Sequence, residues 1–332
     1  MTQPRVVARF QTRRDEGVCR CELCPRHCVI KEGGVGVCGH RRNEGGELIA
    51  PRYGLIAAAA IDPIEKKPLH HFHPGASIFS IGANGCNLTC KFCQNWHLSE
   101  GRSPDEYAPP EWVATRAGER GSLGVAFTYN EPTIWFEYIL DCAKLLRARG
   151  LYVVLVTNGY LEPEPWDELC GWVDAMNVDV KGDDAFYRRL AGGRLAPVRR
   201  NVETAWRAGV AVETTNLLVT GENDRPEQIR ELVDWQAGIS SDLPLHLSRY
   251  FPNREWDAPA TPAAQLQQAG EIARAKLHYV YVGNIDIPGA ADTHCPQCGA
   301  TVVRRRGYAV DRAGLTADAR CAACGAKLPL RT

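Results

Sequence analysis

The chain has 332 residues, and its 39 basic and 39 acidic side chains cancel to no formal net charge. A hydrophobic content of 45% supports a buried core and excludes wholesale disorder. The even charge argues against a dominant nucleic-acid or membrane-surface role. MTQPRVVARF lacks the apolar stretch of a signal peptide, and the longest purely apolar run, residues 55–61, is too short to span a bilayer, so a soluble cytoplasmic protein is expected.

Fourteen cysteines are many for a cytosolic chain of this size, and their short spacings point to metal rather than disulfides. The first group is Cys21, Cys24, Cys28 and Cys38, in a Gly-rich stretch. Its four thiolates could complete a closed site for zinc or for a [4Fe–4S] cluster. Cys24-Pro25 and Cys38-Gly39 resemble zinc knuckles, which leans slightly to zinc, and Cys19 is a spare thiol. Boundaries are expected near Pro51 and within residues 288–291. They divide the chain into an N-terminal metal-binding segment (1–50), a central domain (51–288) and a C-terminal module (289–332).

The central part reads as successive β-α units. Strands are expected at residues 77–81, 124–127, 152–156, 175–180, 210–219 and 245–247. Pro132 starts a helix that carries Trp135, Ile139, Cys142 and Leu146 on one face and stops at Gly150. Helical patterns also fall at 227–236 and 264–275. Strands alternating with helices imply an α/β fold with a parallel sheet. Six units suggest a partial (β/α)6 barrel, and a doubly wound open sheet fits the pattern nearly as well.

After the first of these strands comes Cys86-x3-Cys90-x2-Cys93. Three thiolates on a four-iron cubane leave one iron open to a chelating substrate. A structural zinc loop would need a fourth ligand, and only His97 stands nearby. Gly85 lets backbone approach the cluster, and Phe92 can shield it from water. The His70, His71 and His73 run reads as an exposed loop rather than a metal site.

The pattern Cys-x3-Cys-x-aromatic-Cys after a first strand resembles the signature of the radical S-adenosylmethionine (SAM) superfamily. The ordered segments CELCPRHCVIKEGGVGVCG, AIDPIEKKPLHHFHPG, GCNLTCKFCQNW, TYNEPTIW, VTNGY, MNVDVKG, YVYVGN, CPQCG and CAACG cover nearly the whole chain. They resemble the branch near pyruvate formate-lyase activating enzyme and, more closely, the radical SAM family of the AmmeMemoRadiSam system. The resemblance implies a radical SAM partial barrel holding a [4Fe–4S] cluster on Cys86, Cys90 and Cys93. An electron from that cluster would break the S–C5′ bond of SAM, and the resulting 5′-deoxyadenosyl radical would take hydrogen from an unidentified substrate, an oxidoreductase-type reaction.

The resemblance also implies where SAM binds. Tyr129, Asn130 and Glu131 stand where the superfamily motif contacts the SAM amino group, although Glu131 also suits a helix start. Thr157 and Asn158 match the loop by the SAM ribose or carboxylate, with Val156 where the activating enzymes carry an aspartate; an ordinary Asn-Gly turn is the alternative. Asn177, Asp179 and Lys181 share one strand face, either as a charge pair lining the barrel or as contacts to SAM or substrate. His246, sharing a face with Ser248, is a further binding candidate or else a satisfied core histidine.

The last group, Cys295-x2-Cys298 and Cys321-x2-Cys324, carries a glycine after each pair and reads as a zinc ribbon. Arg304, Arg305 and Arg306 between the pairs read as a solvated hairpin face. The expected partners are a ferredoxin or flavodoxin as low-potential donor and a small-molecule or protein substrate, with no membrane; the even charge argues against nucleic acid. Two other functions remain open at this point: a glycyl-radical activase, and a non-catalytic zinc-ribbon or nucleic-acid-binding scaffold.

Overall fold

A computed structural model describes residues 2–332. Its centre is an eight-stranded sheet. In space the strands run Ala58–Pro63, Ser77–Gly82, Gly124–Phe127, Tyr152–Thr157, Ala175–Asp179, Ala211–Leu218, Leu245–Arg249 and Val280–Gly283. The first pairs antiparallel with the second, and every later pairing is parallel. The spatial order never reverses, so the doubly wound alternative, which needs a switch point, is excluded. The first and last strands do not pair with each other, which leaves the barrel partial.

All six expected parallel strands form. Two further strands, Ala58–Pro63 and Val280–Gly283, join at the two edges. Their signal is weak in the sequence: the first is mostly alanine and ends in proline, and the second has four residues. The helix after Pro132 begins as a 3-10 turn, Pro132–Trp135, and continues as Phe136–Ala148. Trp135, Ile139, Cys142 and Leu146 are all buried, as one face of an amphipathic helix requires.

Strand alternation sorts the core into two layers. Phe79, Val125, Phe127, Val153, Leu155, Met176 and Val178 belong to the main cluster packed against the helices. Ile78, Ala126, Val154 and Ala175 face the other way and are covered by Ile64, Leu69 and Phe72 from the segment after the first strand. On the later strands the same inner face is polar, with Asn177, Asp179, Glu213, Thr215, His246 and Ser248. An inner face that changes from apolar to polar around the barrel creates a wet cavity on one side.

Three short antiparallel strands, Gln11–Arg13, Cys19–Cys21 and Val29–Ile30, form the N-terminal sheet; Cys19 and Cys21 lie on the second, and Cys24 and Cys28 in the turn that follows it. Leu23 and Cys24 are buried in the main core beside Leu88 and Tyr160. At the other end Thr293–His294, Thr301–Arg306 and Ala309–Asp311 form a small sheet with its own core of Val302, Val303, Leu328 and Leu330. Among the described residues, no helix is long and apolar enough to cross a membrane.

Candidate functional site

Cys86, Cys90 and Cys93 lie in the loop after Ser77–Gly82 and open onto one cavity of about 1580 Å³. Residues from the ends of the next strands share its wall: Tyr129, Asn130, Glu131, Thr157, Asn158, Asp179 and Lys181. This is the end of a β/α barrel where sites form, because each loop there adds side chains without disturbing the sheet. The cysteine loop is stitched down by Thr89 N–H to Ala191 O and Lys91 N–H to Leu190 O, both 2.9 Å. Phe92 is buried against Phe186, ring centroids 5.3 Å apart, and walls the loop from the core side.

The three cysteines are free thiols. Burial pushes Cys90 up to about 11 and raises Cys86 as well. Donors already face the sulfurs: Leu88 N–H lies 3.4 Å and Asn158 Nδ2 3.8 Å from Cys86 Sγ, and Ser99 Oγ lies 3.6 Å from Cys93 Sγ. Such donors favour the thiolate form and suit a sulfur that carries metal. Three thiols on one wet cavity, with no fourth cysteine lining it, fit a four-iron cluster that keeps one iron open. The same cavity holds the carboxylates and amides that a zwitterionic amino acid such as SAM needs. Gly85 has a role other than expected. At φ +100°, its Cα packs so that an added Cβ would meet Cys38 O at 2.1 Å; the glycine admits the first cysteine group, not the cluster.

Glu131 is 2% exposed and its carboxylate is heavily engaged. Oε1 accepts from Thr133 N–H (2.9 Å), Thr133 Oγ1 (2.7 Å) and Thr157 Oγ1 (2.7 Å), and Oε2 accepts from Asn158 N–H (2.6 Å). The carboxylate therefore caps the 3-10 turn, as its place at a helix start suggests, and ties the second strand end to the third. Burial is the largest influence on its pKa and raises it despite these donors. Tyr129 adopts φ +73°, a conformation that favours glycine. Its hydroxyl donates to Asp62 Oδ2 at 2.6 Å and Lys67 Nζ sits 4.5 Å from its ring, contacts that hold the strained residue. Burial alone would raise Asp62, but hydrogen bonds from Lys66, Lys67 and Tyr129 outweigh it and hold the carboxyl well below its usual range.

Asp179 and Lys181 form a 2.9 Å ion pair on the cavity wall. Burial disfavours the Lys181 ammonium, yet Asp179 and Cys90 more than compensate and raise its pKa. Asn177 does not line this cavity; it donates to Pro68 O and accepts from Thr215 Oγ1, both at 2.8 Å.

His246 lines a second cavity of about 1820 Å³, which shares Lys66, Gln94, Thr215 and Ser248 with the first. Its Nε2 lies 2.6 Å from Glu213 Oε2, and its ring packs against His70 (4.6 Å) and Tyr281 (5.1 Å). His70 and His71 are buried here rather than in an exposed loop, and burial pushes His71 down to about 4. Burial thus favours the neutral His71 ring, whose Nδ1 faces Pro329 O at 3.1 Å and whose Nε2 faces the Tyr281 hydroxyl at 2.7 Å. Arg305 is likewise buried, not a solvated hairpin residue: it donates to His70 O at 2.7 Å and to Thr293 Oγ1 at 2.8 Å. The C-terminal module thus walls this cavity with Arg305 and Tyr308. Sequence reasoning missed Glu213 and Tyr281; alternation along Ala211–Leu218 places Glu213 and Thr215 together on the inner face, a signal that was present.

In the C-terminal module the four sulfur atoms of Cys295, Cys298, Cys321 and Cys324 lie within 4.8 Å of one another and could hold a metal ion. Gly299 and Gly325, both at positive φ, turn each pair around that point. Cys21, Cys24, Cys28 and Cys38 line a separate enclosed space of about 360 Å³.

A sequence model described as the radical SAM superfamily matches residues 80–235. An uncharacterized protein of Methanocaldococcus jannaschii is 38% identical over 331 residues, covering 97% of this chain and 98% of its own. The pyruvate formate-lyase-activating enzyme of Clostridium pasteurianum is 25% identical over 172 residues, covering 50% of this chain and 72% of its own. A solved structure of a radical SAM methyltransferase from Sphaerobacter thermophilus aligns over 85% of this chain and 77% of that one, with a TM-score of 0.50 at 17% identity, a likeness of fold.

Proposed function

Because the chain belongs to the radical SAM superfamily, we propose that it reductively cleaves S-adenosylmethionine and takes hydrogen from a substrate held beside the cleavage site. One observation carries the reading: three free cysteines open onto a single cavity ringed by Glu131, Thr157, Asn158, Asp179 and Lys181 at the strand ends. Cys86, Cys90 and Cys93 would hold the [4Fe–4S] cluster, which when bound supplies the electron that breaks the sulfonium bond.

The chain's own residues do the rest. Asp179 and Lys181 offer one charge of each sign to a zwitterion. Glu131 keeps the Thr157-Asn158 loop against the cysteine loop and leaves acceptor capacity on Oε2 for an ammonium group. Leu88 N–H and Ser99 Oγ set the electron demand of the sulfurs they face. The hydrogen donor would occupy the adjoining cavity, where His70, His246, Tyr281 and Arg305 meet it with polar and aromatic groups. The low-potential electron would come from a ferredoxin or flavodoxin. The C-terminal quartet would bind zinc and hold Arg305 and Tyr308 at the second cavity.

Anaerobic reconstitution with iron, sulfide, dithionite and SAM tests the reading. Methionine and 5′-deoxyadenosine should form, and Cys86→Ala should abolish both; a fully reconstituted protein that makes neither would refute it. Similarity to a pyruvate formate-lyase-activating enzyme supports a second reading, activation of a partner protein by hydrogen removal from glycine. A glycyl EPR doublet on such a partner would establish it.

A further inference from the structure

Four cysteines near the start of the chain are unused by the chemistry above. Cys21 ends a short strand, Cys24 and Cys28 follow in its turn, and Cys38 returns from the Gly-rich loop. All four are free thiols lining one enclosed space with Leu23, Arg41, Asn87 and Ile134. We propose that Cys21, Cys24, Cys28 and Cys38 hold a second [4Fe–4S] cluster, closed by four thiolates, which passes single electrons to the site at Cys86, Cys90 and Cys93.

The spacing of the sulfurs separates the two metals. Zinc binds four thiolates at about 2.3 Å in a tetrahedron, which sets sulfur-to-sulfur distances of about 3.8 Å. The C-terminal quartet has that form: Cys295 to Cys324 and Cys298 to Cys321 are each 3.7 Å. Among the described residues it is the one cysteine set that contracts within 4.8 Å. A cubane places each thiolate on a different iron, so the sulfurs stand roughly 6 Å apart. The N-terminal four do not contract, and neither do Cys86, Cys90 and Cys93. No three sulfurs of the N-terminal set come within 4.8 Å of one another, which separates it from the C-terminal quartet, and the slight lean to zinc drawn from its knuckle-like sequence gives way.

A second observation concerns charge. Arg41 is 1% exposed and lines the same space. One Nη pairs with Glu137 at 3.0 Å and the other donates to His40 O at 2.8 Å, but its buried Nε has no partner. An unpartnered guanidinium N–H is costly in a protein interior unless an anionic group, here sulfide or thiolate, accepts it.

Position assigns the role. The Cys38 carbonyl packs on the Cα of Gly85, the residue before Cys86, and Asn87 reaches the wall of the N-terminal space. The two cysteine loops are in backbone contact. Four thiolates leave no open iron to chelate a substrate, and the contact of the two loops suits this cluster to electron transfer. A reduced one-electron protein donor of the ferredoxin or flavodoxin class would lose one electron, and the N-terminal cluster would pass from the 2+ to the 1+ state. Transfer to the cluster site at Cys86, Cys90 and Cys93 returns it to 2+, with no proton or leaving group moved.

The relay rests on the proposed function, whereas the N-terminal iron does not, and one set of variants separates them. Iron, sulfide and zinc are counted on anaerobically reconstituted full-length protein. Wild type should carry about eight irons and one zinc per chain. The Cys86→Ala, Cys90→Ala, Cys93→Ala triple variant should keep about four irons, with a reduced EPR signal that SAM leaves unchanged. Loss of all iron from that folded variant, with a second zinc in wild type, would overturn the proposal. If the triple variant keeps all the wild-type iron and no signal responds to SAM, the function proposed above fails while the N-terminal cluster stands. In fully reduced wild type, two paramagnetic centres in touching loops should broaden each other's signals. A wild-type spectrum equal to the sum of the triple variant and a Cys24→Ser variant would overturn the relay; should Cys24→Ser not fold, the power saturation of wild type against the triple variant decides the same point.

Discussion

Gly85→Ala strikes a backbone contact between the two cysteine loops, so its cost should be large for the addition of a single methyl group. The added Cβ would meet Cys38 O at 2.1 Å, and φ at this position is +100°. The obstructing atom is backbone and cannot rotate away. Reaching ordinary van der Waals separation requires a retreat of about 1 Å or more by the Cys38 peptide. Backbone strain at such a position is worth about 1–3 kcal/mol, and overpacking adds about 1–3 kcal/mol. A loss of about 4 kcal/mol corresponds to a Tm drop of roughly 5–10 °C in a chain of this size. Gly150→Ala is the matched control: Gly150 also has positive φ, at +67°, but an added Cβ there meets nothing within 4 Å. It should cost only about 1 kcal/mol. Anaerobic thermal unfolding of both variants, with iron counted before each melt, tests the reasoning. Gly85→Ala should also bind less iron. If it melts no lower than Gly150→Ala and keeps its full iron complement, the two loops are not in the contact described here.

Three further outcomes follow from the same geometry. Glu131→Gln turns one carboxylate oxygen into a donor facing Thr or Asn158 donors; stability in urea should fall by about 2–3 kcal/mol, and an unchanged midpoint would mean that the carboxylate does not tie the two loops. Cys298→Ser removes one of the four sulfurs that could hold a metal, and residues 289–332 should become sensitive to protease; a tail as protected as wild type in a variant that binds no metal there would contradict this. Burial, the leading cause, lowers His71 from about 6.5 in the unfolded chain to about 4, despite Glu213 and with Arg305 and His246 adding to the effect. The folded state then binds fewer protons, so this contribution is fully present above the unfolded value and is lost as pH falls from about 6.5 towards 4, by up to about 1.4 kcal/mol per unit. His71→Gln should flatten the stability profile in that window, and an unchanged acid slope would exclude His71 as a source.

The sequence by itself determined whatever depends on near neighbours in the chain. Short apolar runs alternating with helical segments specified six of the parallel strands, and Pro132, the apolar stripe from Trp135 to Leu146 and Gly150 specified a helix with its start, face and stop. The triplet Cys86, Cys90 and Cys93 was legible because its spacing confines three thiols to one loop. Tertiary structure decided what meets across the chain. His246 faces Glu213, 33 residues away, and His70 and Arg305 are joined over 235 residues, so an apparent exposed loop and a solvated hairpin became the walls of one cavity. Glu131 sits where the motif suggested, yet packing alone set the four donors around its carboxylate. The two terminal cysteine groups make the same distinction. Both terminal groups have four cysteines and knuckle-like turns, but only the C-terminal module contracts to zinc spacing. Spacing along the chain limits which sulfurs can converge; the distances they reach depend on how the connecting segments pack, and that is settled only when the barrel, the N-terminal strands and the C-terminal sheet close on one another.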